Sequence, residues 1–299
     1  MKFSVKAFFI GVILSVLFIF AKNIYSCELS AQSGRGVYSV MKKGSLDNLY
    51  IGSSMFRQGI TLYNDDSDSF LLCYNGLDPV TGSLILEYAL RNGIAVRNIY
   101  FDMCAHLTTG ASSISDRRLI FDSPFELKFS VWDKVIRDEE AGFFSDTWEF
   151  FAGSGNDMFI LWPMYNRLTA KRFYKGGDSA DTIKRGLTPY EMEQRKQPEF
   201  DTGKMHGSQK EAVTRIITLC KKYNVNLIFT ETPKYKDYES NEGYITLMNE
   251  YVNLLSGSGV KLIISRGTLQ NVRAGDGKNI YAYDFPSDDT FMFQDHIHL

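Results

Sequence analysis

Cysteine is scarce in this sequence, and neither sign of charge dominates. The 299 residues include four cysteines, Cys27, Cys73, Cys104 and Cys220. They form no Cys-x-x-Cys and no dense spacing, so neither a disulfide scaffold nor a zinc knuckle is indicated. The last three sit within apolar segments and read as small core residues. A basic excess is also missing. The formal net charge of −2 argues against a nucleic-acid binder, and no long run of one sign marks a charged tail. There is no visible internal repeat and no low-complexity tract. What is present is apolar: 44% of residues are hydrophobic and 14% aromatic. That is enough for one large core, in one domain with insertions or in two small ones.

The first residues stand apart. In "MKFSVKAFFIGVILSVLFIFAKNIYSC" no charge occurs between Lys6 and Lys22. The uncharged run Ala7 to Ala21 spans roughly 22 Å as a helix, short of the ~30 Å hydrocarbon core. A snorkelling Lys22 and an interfacial Tyr25 extend it to about bilayer width. Residues 1–27 therefore read as an uncleaved anchor, with a cleaved signal peptide and a lipoprotein signal ending at Cys27 as rivals. The positive flank places the chain beyond Cys27 outside the cytoplasm. Residues 28–44, with Ser, Gly and Gln and little periodicity, read as a linker.

Short apolar strands then alternate with amphipathic helices. The strands are expected at Asn48–Ile51, Phe70–Tyr74, Ala95–Phe101, Asn226–Thr230, Val260–Ile264 and Ile280–Phe285, each bounded by turn-formers as doubly buried strands are. Ser208-Gln-Lys-Glu211 reads as a capping box. Val213, Ile216, Ile217 and Cys220 come next at helical spacing, as do Tyr244, Met248, Tyr251, Val252 and Leu255. A further helix is expected from Ser83 to Asn92. The order predicts an α/β fold, a three-layer α/β/α sandwich with a mainly parallel, flavodoxin-like sheet, over residues 45–299. Residues 112–205 break the rhythm. With capping boxes at Ser123–Glu126 and Thr188–Glu191, they read as a helical insertion, either a lid or a plain structural subdomain.

At "LYIGSS" the first apolar run stops at Gly52, and Ser53 and Ser54 come directly after it. A serine at the carboxyl end of a parallel strand sits where ligands gather. It would also open a helix whose N–H groups favour negative charge. Simple helix capping is the blander alternative. Four histidines are present, and two of them, His296 and His298, lie in the closing "FMFQDHIHL". Asp295 and His298, three apart, share a face on one helical turn. A carboxylate there can orient an imidazole that takes the serine proton. A polar tail is the alternative. His296-x-His298 with Asp295 is a poor zinc pattern without an upstream ligand cluster, and no motif calls for a cofactor.

Together, "IGSS" and "DHIHL" resemble blocks I and V of the SGNH (GDSL-like) hydrolase superfamily. The Gly-Ser-Ser form behind an N-terminal anchor is similar to D-alanyl-lipoteichoic-acid transfer proteins and to surface-polymer O-acyltransferases. The resemblance implies Ser54 as nucleophile, His298 as general base and Asp295 as its orienting partner. "CYNGLDPVTG" resembles block II. It implies an oxyanion hole from the Ser54 and Gly76 N–H groups with Asn75 beside them; a plain Asn-Gly turn is the alternative. Block III normally supplies an asparagine after the third strand, but here "NIYFDMCAHL" offers Asp102, Cys104 or His106. Relatives continue past Asp-x-x-His into a helix. Ending at Leu299, the sequence implies either a base held by fewer contacts or a truncated product.

These expectations describe a membrane-anchored, extracytoplasmic serine esterase or O-acyltransferase, at the cell surface or in the periplasm. It would act on small acyl esters of surface glycans or polymers through an acyl-serine. The implied partners are an acylated carbohydrate, the membrane and a membrane-bound acyl-transfer protein, with no nucleic acid. The competing class is a catalytically inactive binding or assembly protein of the cell envelope.

Overall fold

The computed structural model describes residues 2–32, 36–60, 68–114, 116, 119, 123–136, 188, 190, 203–273 and 278–285. Most of the segment 112–205 and the whole "DHIHL" end, with Asp295, His296 and His298, lie outside these residues.

Six strands form one parallel sheet: β1 (Ser45–Gly52), β2 (Ser69–Cys73), β3 (Ala95–Asp102), β4 (Asn226–Thr230), β5 (Lys261–Ser265) and β6 (Ile280–Tyr283). Their spatial order is β2-β1-β3-β4-β5-β6. The chain runs from β1 outward to β2, then returns past β1 to β3. This puts the topological switch point between β1 and β3, where doubly wound sheets open a crevice at their carboxyl ends. All six expected strands are present, each displaced by three residues or fewer at either end.

Alternation of side chains explains how the sheet packs. Leu49 and Ile51 of β1, Ile99 and Phe101 of β3, and Leu227 and Phe229 of β4 belong to one large core. Helices α1 (Lys2–Gln32), α2 (Gly36–Lys43), α3 (Ser54–Gly59), α4 (Pro79–Arg91), α5 (Phe125–Val131), α6 (Gly207–Lys222), α7 (Lys236–Glu239), α8 (Glu242–Leu255) and α9 (Arg266–Asn271) complete the described elements. Leu84 and Ile85 of α4, Val213 and Ile216 of α6, and Tyr244, Met248 and Tyr251 of α8 join the same core. At Gly82 an added Cβ would lie 2.5 Å from the Phe101 ring, so α4 approaches β3 as closely as it does only because that side chain is missing.

The intervening positions of β1, β3 and β4 are different in kind, and two of these strands are not the uniformly apolar, doubly buried elements their sequence suggests. Asn48, Asn98 and Asn226 are register partners with Ser69 at the end of the row. Asn226 donates to Asn98 Oδ1 (3.1 Å), Asn98 to Asn48 Oδ1 (3.0 Å) and Asn48 to Ser69 Oγ (3.1 Å). Two residues further along, Tyr50 and Tyr100 stack with ring centroids 4.7 Å apart, packed with Ile60 against a small cluster of Phe56, Leu71 and Cys73.

Helix starts differ from the sequence reading wherever a better acceptor lies upstream. Helix α4 begins at Pro79, because Asp78 accepts from the Thr81 N–H at 2.9 Å. Helix α6 begins at Gly207 with His206 as its cap, upstream of the Ser208–Glu211 box. At α5 the cap is Pro124 with no side-chain bond, and the Ser123 hydroxyl is buried without a partner among the described residues. Where the sequence suggests a linker, α1 runs on to Gln32 and α2 fills Gly36–Lys43. Val37 and Val40 of α2, three apart, are buried in the main core, a helical pattern too short to stand out in the sequence.

Candidate functional site

The switch point is built from the Gly-Ser-Ser turn upward. Gly52 ends β1 against the neighbouring strand: a Cβ there would lie 2.6 Å from both Asp102 Cβ and the Phe56 ring. Only glycine permits this approach. Ser53 then caps α3, its Oγ accepting from the Met55 N–H at 3.3 Å. The same hydroxyl donates to Asp102 Oδ2 at 2.7 Å, and the Ser53 N–H donates to that oxygen at 3.2 Å. The other carboxylate oxygen accepts from the Cys104 N–H at 3.1 Å. Ser53 and Asp102 are each only 1% exposed. Ser53 is therefore committed on both its donor and acceptor sides, while Ser54, the first helical residue, is half-buried.

Asp102 stands where the resemblance places an asparagine. Its carboxylate oxygens accept from the Ser53 N–H, the Ser53 hydroxyl and the Cys104 N–H, so it organises the turn. Beyond it, Cys104 adopts a left-handed backbone (φ 46°, ψ 38°) before the 3₁₀ turn Ala105–Leu107 that carries His106. A non-glycine residue in this region stores strain. Burial pushes the Cys104 thiol well above its ordinary value, and the Asp102 charge adds to it. It is thus a neutral, inert thiol at physiological pH.

The loop after β2 reaches the same crevice, because Gly52 pairs with Cys73 and its carbonyl accepts from the Tyr74 N–H at 3.1 Å. Gly76 has φ 63°, which glycine adopts without penalty, and the Leu77 N–H closes the turn on the Tyr74 carbonyl. The Asn75 N–H donates to Asp116 Oδ2 at 2.7 Å. So the backbone beside Gly76 is occupied. Asp295 and His298 lie outside the described residues, and of the remaining histidines His206 serves as the α6 cap.

A second polar centre, unmarked in the sequence reading, lies one strand over. Glu231, directly after β4 and 1% exposed, accepts from Tyr244 Oη (2.5 Å), Thr268 Oγ1 (2.8 Å) and the Ser265 N–H (2.8 Å). Its carbonyl takes the Tyr283 hydroxyl at 3.1 Å. Burial and the Glu231 charge push the Tyr244 phenol well up. Lys234, also buried, donates to the Thr232 carbonyl at 3.1 Å with its ammonium 5.2 Å from the Tyr244 ring centre. The signal was the charged "TETPK" immediately after an apolar strand, where burial of both charges is unusual.

Among the described residues no group of three His, Cys, Asp or Glu side chains gathers as a metal site. An open cleft of about 510 Å³ lies at the opposite, amino ends of β1 and β3, lined by Asp47, Asp68, Arg97 and Tyr223 among others. It holds none of the nominated residues. Set against protein-family models the chain matches none, and no curated protein matches it.

Proposed function

We propose that the chain is a membrane-anchored, extracytoplasmic serine esterase or O-acyltransferase acting on small acyl esters of surface glycans or polymers. One observation carries this reading. Ser54, half-buried, opens α3 at the carboxyl end of β1, beside the β1–β3 switch point, while the Ser53 side chain next to it is buried in its cap and its bond to Asp102.

In the proposed reaction Ser54 Oγ attacks the acyl carbon, and its proton passes to the His298 ring, oriented by Asp295. N–H groups at Ser54 and Gly76 hold the oxyanion. The tetrahedral adduct collapses to acyl-serine and expels the alcohol, which leaves with the proton from His298. Water or a sugar hydroxyl then resolves the acyl-serine by the same steps reversed.

The competing reading, a non-catalytic envelope binding or assembly protein, is favoured by two features. Asp102 is an acceptor where the superfamily has a donor, and the Asn75 N–H is already bonded to Asp116. Losing one oxyanion donor typically costs on the order of 10²–10³ in rate. A fluorophosphonate probe separates the two. Covalent labelling that disappears in Ser54→Ala supports the enzyme. A folded wild-type chain that takes up no label supports the binding protein.

A further inference from the structure

The anchor helix changes character along its length. Val5 to Phe18 are bare, whereas Asn23, Cys27 and Ser30 are buried against the rest of the chain. Asn23, 6% exposed, donates its amide to the Ser123 carbonyl at 2.9 Å. Phe20 stacks on Phe125 of α5 with centroids 4.3 Å apart. Glu28 pairs with Lys42 of α2. The domain therefore begins at Phe20, with no spacer between it and the apolar helix.

That geometry sets a height. From Val5 to Phe20 the helix rises roughly 22 Å, about 8 Å short of a ~30 Å hydrocarbon core. Residues level with Phe20 and just beyond it thus fall inside the apolar and interfacial layers. On the domain Phe125 lies at that level, and α5 runs on from it to Phe129, 54% exposed, and to Trp132 of the π turn Trp132–Ile136, which is half-buried against the main core with its ring centroid 5.5 Å from that of Phe129. An exposed Phe with a half-buried Trp beside it, next to a membrane span, is suited to the interface.

We propose that Phe125, Phe129 and Trp132 form a bilayer-contacting ridge that seats the domain directly on the membrane beside a retained α1. The ridge compensates for the short span, and removal of α1 would strip the Ser123 carbonyl and Lys42 of their partners Asn23 and Glu28. This inference is independent of the serine chemistry and stands or falls separately.

The test uses the full chain in nanodiscs of phosphatidylcholine with or without brominated acyl chains. In a Trp148→Phe, Trp162→Phe background, Trp132 emission should lose most of its intensity in the brominated discs. Equal emission in both overturns the ridge. A second probe avoids tryptophan substitutions: Phe129→Cys, labelled selectively because the four native cysteines are buried, should be quenched in the same discs. A label that stays unquenched overturns the ridge as well. Intact mass of membrane-extracted protein should include residues 2–27, and a chain cut at or before Cys27 overturns the retained helix.

Discussion

Two carboxylates, Asp102 and Glu231, lie at the carboxyl ends of the neighbouring strands β3 and β4. Each is almost fully buried, and each accepts three hydrogen bonds. Their partners differ. Asp102 takes donors from a strand-end turn whose next residue, Ser54, is half-buried. Glu231 takes donors from β5, α8 and α9, all of them buried, and ties three elements together, while its carbonyl takes the hydroxyl of the half-buried Tyr283. A buried carboxylate is thus a staple in both places. At β3 the staple holds the turn that leads directly into Ser54.

The sharpest way to break this comparison is at the serines. Ser54→Ala should abolish fluorophosphonate labelling and p-nitrophenyl acetate cleavage, while Ser53→Ala retains most labelling and lowers stability by about 1 kcal/mol through the lost cap. Equal loss of labelling from both would move the nucleophile off Ser54. Next come the carboxylates. Asp102→Ala and Glu231→Ala each strand buried donors and should each cost roughly 3 kcal/mol in urea unfolding. Among molecules that remain folded, only Asp102→Ala should slow labelling. An equal slowing by Glu231→Ala would erase the distinction between the two staples.

Labelling should also track the protonation of the base. If His298 takes the proton, labelling is lost at acid pH, where a protonated imidazole no longer acts as a base. A flat profile between acid and neutral pH removes His298 from the reaction. Alkaline stability gives a smaller effect. Cys104, Tyr244 and Tyr251 have folded-state values pushed up by burial, so the unfolded chain releases their protons first. Stability is then full below about pH 8.5, the ordinary thiol value, and declines as pH rises beyond it. Thermal unfolding measured from pH 7 upward checks this. Asn98→Ala should have the least effect, about 1 kcal/mol from broken amide bonds and no change in labelling.

The sheet was legible in the sequence because each strand is an apolar run closed by Gly, Asn, Pro or Asp, a signal that needs no distant partner. The Gly-Ser-Ser turn was legible for the same reason. Its pairing with Asp102 was not, since residues 49 apart in sequence meet only through the β1–β3 register. Glu231 and Lys234 drew no reading, because the partners that bury Glu231, Tyr244, Ser265 and Thr268, come from elements far along the chain. Caps moved upstream to Asp78 and His206 because several residues compete for the same N–H groups, and tertiary packing selects among them. Short α2 lacked the length for periodicity to show.

The row Ser69–Asn48–Asn98–Asn226 has one further consequence. Sliding any of these four strands by a single place would set an amide against a hydrocarbon side chain and strand its neighbours' protons. Alignment of the parallel ribbons is thereby checked near their starting ends, well away from the Gly-Ser-Ser turn. The strand register therefore has a hold of its own, separate from the bonds that shape the turn.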